Sequence, residues 1–326
     1  MSVTETVSIE LPGQRAQILN KLWQGGTIIA LIALVAIFGV LRPEQFLSVS
    51  NLRNILEQLA ILAVIAAAQT IVMVAGDFDL SVGANAILSG AVAAVAMVAG
   101  IPTPVAILIA LVSGLVIGLI NGALVAYLGL SPFIVTLASM TAVSGLIFIV
   151  TDGTTVYGLP EDFFWIGQSR PLGIPTPIFI AIAFALLIWF VLRFTVVGRR
   201  WYAVGGNVEV ARLSGINVAG ARLAAFGLAG LGSAIGGLIL ASRLGNVSPQ
   251  PGSNYMLFAV AAVFLGMTLL ASGAANLPGT MIGVLIIGVM SNGLNLVGAN
   301  TYVQQVLTGV IIIAAVALSA LRKRTH

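Results

Sequence analysis

Gly198–Gly220, GRRWYAVGGNVEVARLSGINVAG, is the one long, charged and glycine-punctuated stretch in a chain that is otherwise close to continuous hydrocarbon. It carries Arg199 and Arg200, the pair Gly205 and Gly206, and then Asn207, Glu209, Ala211, Arg212, Gly215 and Ile216. An asparagine side chain accepts from the free N–H groups of a helix's first turn, and glycine takes the left-handed conformation that ends one. Asn207 and Gly215 therefore predict a short helix between them, following the two glycines. That helix is too short and too polar to enter a bilayer and belongs along its surface. A compact helix on a loop, with one exposed acid and one exposed base, gives a soluble partner something to grip, and pulling on it moves the apolar segments at either side.

The rest of the chain sets where that stretch lies. Hydrophobic residues make up 59% of the 326 and charged residues 7%, with a mean hydropathy of +1.12. A soluble domain of this length cannot hide so much apolar side chain, so the chain is an integral membrane protein. The net charge is +4, but the 14 basic residues form no aromatic-interleaved patch, which argues against nucleic acid. The absence of cysteine excludes disulfides, thiolate chemistry and iron–sulfur clusters, and the single histidine, His326, provides no metal-binding cluster. No metal site and no cofactor are implied. Residues 1–24 are polar and lack the early apolar core and cleavage site of a signal peptide, so they read as a cytoplasmic tail.

Apolar segments long enough to cross the hydrocarbon layer, at ~20 residues each, lie near 26–41, 55–75, 84–100, 104–128, 133–150, 177–197, 221–242, 256–271, 279–297 and 303–321. The fold class is thus an all-α polytopic membrane protein of about ten transmembrane helices, occupying residues 25–322, with a short tail at 323–326. An even number of spans puts both termini on one side. With a cytoplasmic N-terminus, Arg15, Lys21, Arg193, Arg199, Arg200, Arg212, Arg222, Arg322, Lys323 and Arg324 fall inside, and Arg42, Arg53, Arg170 and Arg243 outside. That bias places residues 198–220 in the cytoplasm, between the sixth and seventh spans. Residues 151–176, with Asp152, Glu161, Asp162, Trp165 and three prolines, form the longest external segment and read as a cap with structure of its own. Ile117-Gly118 and Asn121-Gly122 in the fourth span are echoed by Ile287-Gly288 and Asn292-Gly293 in the ninth. A five-span offset reverses orientation, so the echo suggests an inverted repeat.

The second informative stretch is Gly76–Asn85, GDFDLSVGAN, preceded by Gln69 and Thr70. Asp77 and Asp79 sit between strongly apolar segments, where a charge needs a partner, water or a task. Gly76 and Gly83 let the backbone leave helix geometry there, so the flanking spans read as half-helices. A surface loop capped by Asp79 or Ser81 is the plainer alternative, and the two are compatible if the loop dips below the interface. Gln69, Asn85, Asn121, Thr136, Ser139, Asn292 and Asn295 complete a set of polar residues in apolar surroundings. Uncharged amides and hydroxyls suit a neutral, hydroxylated solute; for any single one an interhelical hydrogen bond is the plainer reading, but as a set they favour a polar pathway.

Four patches together carry a resemblance: GDFDLSVG from Gly76, SPFIVTLASM from Ser131, GRRWYAVGGNVEVARLSGINV from Gly198 and PGTMIGVLIIGVMSNGLNL from Pro278. The chain resembles the ribose-type family of ABC importer permeases from about Phe46 onward. The resemblance implies a homodimer or pseudo-dimer of permeases in the bacterial inner membrane, cytoplasmic ATP-binding domains on another chain, and a periplasmic or lipid-anchored sugar-binding protein. It implies a small neutral sugar or polyol as solute. Gly205, Gly206, Asn207, Glu209, Ala211, Arg212 and Gly215 would then form the coupling helix that docks on the ATPase. The chain has no phosphate-binding G-x-x-x-x-G-K-[ST] loop, so it is not itself the enzyme. Where many sugar permeases carry Gly-Tyr-Glu-Leu-Asp, this chain reads Asn254-Tyr255-Met256-Leu257-Phe258, and Gly266-Met267-Thr268 stands where Gly-Gly-Thr is common. Both departures point to a subgroup. A proton-coupled secondary transporter using Asp77 and Asp79 is the competing reading. An intramembrane aspartyl protease is disfavoured because its two carboxylates must meet from different helices.

Overall fold

A computed structural model describes residues 14–250, 252–267, 273–300, 302–307, 309, 310 and 313. Residues 1–13 of the expected tail, much of the expected tenth span at 303–321, and the tail at 323–326 lie outside the described residues, as does Thr268. The helices are α1 (Gln14–Leu41), α2 (Pro43–Phe46), α3 (Val49–Val74), α4 (Val82–Val98), α5 (Thr103–Tyr127), α6 (Pro132–Val150), α7 (Thr176–Phe194), α8 (Val196–Gly206), α9 (Val208–Leu213), α10 (Val218–Leu244), α11 (Ser253–Met267) and α12 (Leu277–Leu296). Helix α1 begins inside the stretch expected as a tail.

Among the described residues, α3, α5, α6, α7, α10 and α12 are each long and apolar enough to cross a membrane, and Ile28–Leu41, Val82–Val98 and Asn254–Met267 are shorter apolar helices. These are the first nine expected spans. Helices α3 and α10 form the centre, with most of their side chains buried, whereas α5, α6 and α7 present broad apolar surfaces outward. Outward apolar faces are what lipid requires, and close packing inside then depends on small residues. At the α5–α10 contact, a Cβ on Gly118 would lie 2.3 Å from the Phe226 carbonyl oxygen, and one on Gly230 2.2 Å from that of Gly114. Glycine there lets two backbones approach closer than any side chain permits.

The contacts sort the connecting segments onto two faces. On one face, Gly76 lies against Gly205, and Asp77 meets Arg222. On the other, Val156 and Val247 exchange backbone hydrogen bonds of 2.9 and 3.1 Å, and Thr103 donates to Asp162 at 2.8 Å. Alternation of the faces along the chain follows the expected span order. The segment from Thr151 to Pro175 has structure of its own: Phe163 is fully buried, Gly167 N–H donates to Ser242 Oγ at 2.8 Å, and that hydroxyl donates to the Phe163 carbonyl at 2.8 Å.

The packing also repeats. Helices α4 and α5 contact each other and pack on α10, while α11 and α12 contact each other and pack on α3, with α3 against α10 between the two groups. Both α4 and α11 follow a break. Gly122 of α5 abuts Leu223, near the start of α10, and Asn121 bonds Ser81, so α4 starts roughly 10–20 Å in from that end of α10. At the opposite end, Gly252 lies against Gly83 and Ile87, and Ala86 lies against Gly237, so the chain dips roughly 10–15 Å below the end of α10 before α11 begins. The first ends of α4 and α11 therefore meet inside the bundle.

Candidate functional site

The stretch Gly198–Gly220 folds as two helices, not as a loop leading to one. Helix α8 is capped by Thr195 Oγ1, which accepts from Gly198 N–H at 3.2 Å, and it is amphipathic: Trp201 and Val204 are buried while Arg199 and Arg200 are exposed. Trp201 Nε1 donates to the Ala221 carbonyl at 2.8 Å, fixing α8 across the start of α10. Gly205 and Gly206, expected to precede a helix, are the last two residues of one. They differ in cause. A Cβ on Gly205 would lie 2.1 Å from the Val74 carbonyl oxygen and 3.0 Å from Gly76 N, whereas one on Gly206 would meet nothing within 4 Å.

Helix α9 has the expected ends. Asn207 Oδ1 accepts from Val210 N–H at 3.0 Å. After Leu213, Gly215 has φ +77°, its N–H donates to Arg212 O at 3.0 Å, and Ile216 N–H reaches back to Ala211 O at 3.0 Å. This paired closure satisfies the last carbonyls and requires a residue tolerant of positive φ. Ala211 is buried beside Val204, Val218 and Ile216, so the helix is pinned from beneath. Glu209 and Arg212 pair with each other at 3.1 Å on the exposed side, a contact contributing ~0–1 kcal/mol. On the same helix Val210 is 58% exposed and Leu213 86% exposed. The expected coupling set leaves these two out, although apolar side chains on so polar a helix are the signal of a covered surface.

Directly behind Gly205 is the break between α3 and α4. Gly76 takes φ +87°, which only glycine adopts without strain. Asp77 Oδ2 lies 3.0 Å from Arg222 Nε, close but not aligned as a hydrogen bond. Asp79 is buried, and its Oδ1 accepts from Ser81 N–H at 2.8 Å and Ser81 Oγ at 2.6 Å. Ser81 Oγ in turn accepts from Asn121 Nδ2 at 2.9 Å, tying the break to α5. Asn85 donates to the Gly114 carbonyl at 3.1 Å. Thr136 donates to Pro132 O at 2.8 Å, and its hydroxyl is 3.5 Å from the Phe78 carbonyl. The Phe78 ring packs on Phe264 of α11 with centroids 5.9 Å apart. The break is thus enclosed by α5, α6, α8, α10 and α11.

The expected pathway residues do not form one surface. Asp77, Asp79, Asn121, Asn85 and Thr136 gather at the break. Gln69 is fully buried farther along α3, with neither amide atom hydrogen-bonded among the described residues. Ser139 lies on α6 one turn after Thr136 and is half-buried. Asn292 and Asn295 lie at the far end of α12. Asn292 exchanges hydrogen bonds of 2.9 and 3.0 Å with Asn51, and Asn295 accepts from Gln304 at 2.6 Å. Such a reciprocal buried amide pair reads as a tie between α3 and α12.

Three further residues carry charge or polarity that the sequence alone does not assign. Glu57, nearly buried, holds Arg243 at 3.1 Å and Arg170 at 3.4 Å, joining α3, α10 and the Thr151–Pro175 segment. It is the one acid in its apolar helix, and that isolation is the available signal. Asn51 and Arg222, the partners of Asn292 and Asp77, lie far away in the chain, so nothing local marks them.

The family described as "Branched-chain amino acid transport system / permease component" matches residues 51–316. The chain is 40% identical to the ribose import permease of Escherichia coli (strain K12) over 317 residues, covering 96% of this chain and 97% of that protein. It is 43% identical to the ribose import permease of Bacillus subtilis (strain 168) over 295 residues, covering 90% and 91%. Identity to the D-allose transport system permease of Escherichia coli (strain K12) is 37% over 297 residues, covering 91% of both chains. No solved structure matches significantly. With nine apolar helices among the described residues, no phosphate-binding loop and a family match over most of its length, the chain is a multi-pass membrane protein belonging to the permease-component family of these transport systems.

Proposed function

We propose that the chain is the membrane-spanning subunit of an ATP-driven importer for a monosaccharide or related polyol. Its partners are an ATP-binding subunit on the face carrying α9, a periplasmic or lipid-anchored sugar-binding protein on the opposite face, and a second permease copy. The named relatives, which carry ribose and allose, support a sugar over the branched-chain amino acid in the family's description. The basic residues favour the cytoplasm for the face carrying Arg199, Arg200, Arg212 and Arg222, and the bacterial permeases the chain is similar to support the bacterial inner membrane as location.

The observation that carries the reading is the backbone contact between Gly205 and the Val74–Gly76 segment. It gives a force applied at α9 a direct route into the bundle. Leu213 and Val210 supply the apolar knob, and Glu209 and Arg212 its charged rim. Asn207 and Gly215 make the knob rigid by closing both of its ends. A shift of α8 moves Gly76 through contact, and with it Phe78, whose ring packs on Phe264 of α11. Alternating access then amounts to rocking between two packed arrangements, driven by ATP binding and hydrolysis on the partner chain. Asp77 is paired with Arg222 and Asp79 accepts from Ser81, uses within the fold that call for no proton transfer.

The test is Leu213→Asp in the reconstituted complex. Sugar uptake should fall at least tenfold while the permease remains folded in the membrane, because a carboxylate in the docking contact has no partner. Unchanged uptake would remove α9 from the coupling path.

A further inference from the structure

Beside the place where α4 and α11 begin, on the face opposite α9, lies a cavity of about 220 Å³. One wall is apolar, with Ile87 of α4 and Leu240 of α10. The other comes from the dipping segment after α10 and the first turn of α11: Asn246, Ser248, Gln250, Asn254 and Tyr255. Among the described residues, no acidic or basic side chain lines it. Asn246 Nδ2 is used by the Leu244 carbonyl at 3.0 Å, and among the described residues the side chains of Ser248, Gln250, Asn254 and Tyr255 make no hydrogen bond.

The dip is held from both ends. Gly245, at φ +68°, closes α10, and Val247 is bridged to Val156. Gly252, at φ +66°, turns into α11, and a Cβ there would lie 2.3 Å from the Gly83 carbonyl oxygen. Non-helical backbone is tolerated at membrane depth where it is buried in protein or lines a polar cavity, and discontinuous helices that meet inside a bundle commonly frame a solute site. Here the break brings amide and hydroxyl groups to that depth and leaves them uncommitted, opposite an apolar wall.

We infer that this cavity is a receiving site for a small, uncharged, polyhydroxylated solute. Neutral amides and hydroxyls exchange hydrogen bonds with sugar hydroxyls, and the apolar wall faces the C–H side of the ring. The inference rests on the importer reading. It adds where the solute sits before the Phe78–Phe264 contact opens.

The chain contains no cysteine, so Asn254→Cys and Ser248→Cys each introduce a unique thiol. The complete transporter, with its ATPase and binding protein, is placed in proteoliposomes and treated with a membrane-impermeant, bulky thiol reagent. D-Ribose, D-allose and D-xylose serve as solutes, and the cysteine-free parent chain, treated alike, is the control. Modification at 248 and 254 should cut sugar uptake at least tenfold, with ATP hydrolysis changed less than twofold, and turnover of the carried sugar should slow labelling at least threefold. The treated parent chain should keep uptake within twofold of the untreated level. Tyr255→Phe, which removes a single hydroxyl, should lower uptake at least threefold and change the preference among the three sugars. Thiols that do not react, or that react with no loss of uptake and no protection, overturn the site even if the wild-type complex imports sugar. A wild-type complex that carries none of the three sugars on ATP overturns the importer reading, and the assignment of this cavity to a sugar falls with it.

Discussion

Gly205→Ala isolates the contact on which force transmission depends. A methyl group there would lie 2.1 Å from the Val74 carbonyl oxygen, short of ordinary van der Waals contact by more than about 1 Å. Neither partner is the tip of a flexible side chain, so the end of α8 must move away from the α3–α4 break. Overpacking of this kind costs about 1–3 kcal/mol. Helix propensity works the other way, favouring alanine over glycine by up to ~1 kcal/mol. Gly206→Ala gains the propensity without a clash, because its methyl group would meet nothing within 4 Å. The propensity gain is common to both and cancels, so the two variants should differ in stability by about 1–3 kcal/mol, although they are neighbours with the same chemistry. Thermal unfolding of the purified protein should give a midpoint for Gly205→Ala several degrees below that of Gly206→Ala. Reconstituted uptake should fall in Gly205→Ala alone. Equal midpoints would refute the close contact, and equal uptake despite a lowered midpoint would refute its role in transmission.

Other variants test the neighbouring parts. Gly206→Trp or Asn207→Arg should separate ATP hydrolysis from uptake, since the first fills open space beside α9 and the second removes its cap; tight coupling in both would count against the docking surface. Asn207→Ala should cost ~1 kcal/mol of local stability and speed hydrogen exchange at Val210. For Asp77 and Arg222, neutralising either alone should destabilise more than neutralising both, with a coupling of about 1–3 kcal/mol in a double-mutant cycle. Additive effects would show that the 3.0 Å approach contributes nothing. Glu57→Gln should release Arg170 and Arg243 and make the Thr151–Pro175 segment more susceptible to protease, while leaving α9 unaffected.

Much of the architecture is legible in the chain because lipid imposes a one-dimensional signal: nine apolar runs correspond to nine helices, with ends differing by a few residues except at α1, which begins at Gln14 and not near 26. The ends of α9 are legible for a related reason, since an N-capping asparagine and a closing glycine act on their immediate neighbours. Helix α8 is not. Gly205-Gly206 reads locally as a break, and only the approach of Val74 from a distant part of the chain explains why a helix should end on glycine there. The polar residues stand out as a set but cannot be sorted locally, because their partners are tertiary: Asn292 on Asn51 and Asp77 on Arg222. The dip between Gly245 and Gly252 reads as an ordinary external connection. Its polar composition fits either case, and what draws it inward is the lack of side chains at Gly83 and Gly252.

The most direct measurement is uptake of radiolabelled D-ribose, D-allose or D-xylose into proteoliposomes containing this chain, with and without its ATP-binding and sugar-binding partners. Uptake that requires both partners and ATP, and that Leu213→Asp abolishes, is the predicted result. Uptake by the chain alone on a pH gradient would contradict it, and would return Asp77 and Asp79 to the centre of the mechanism.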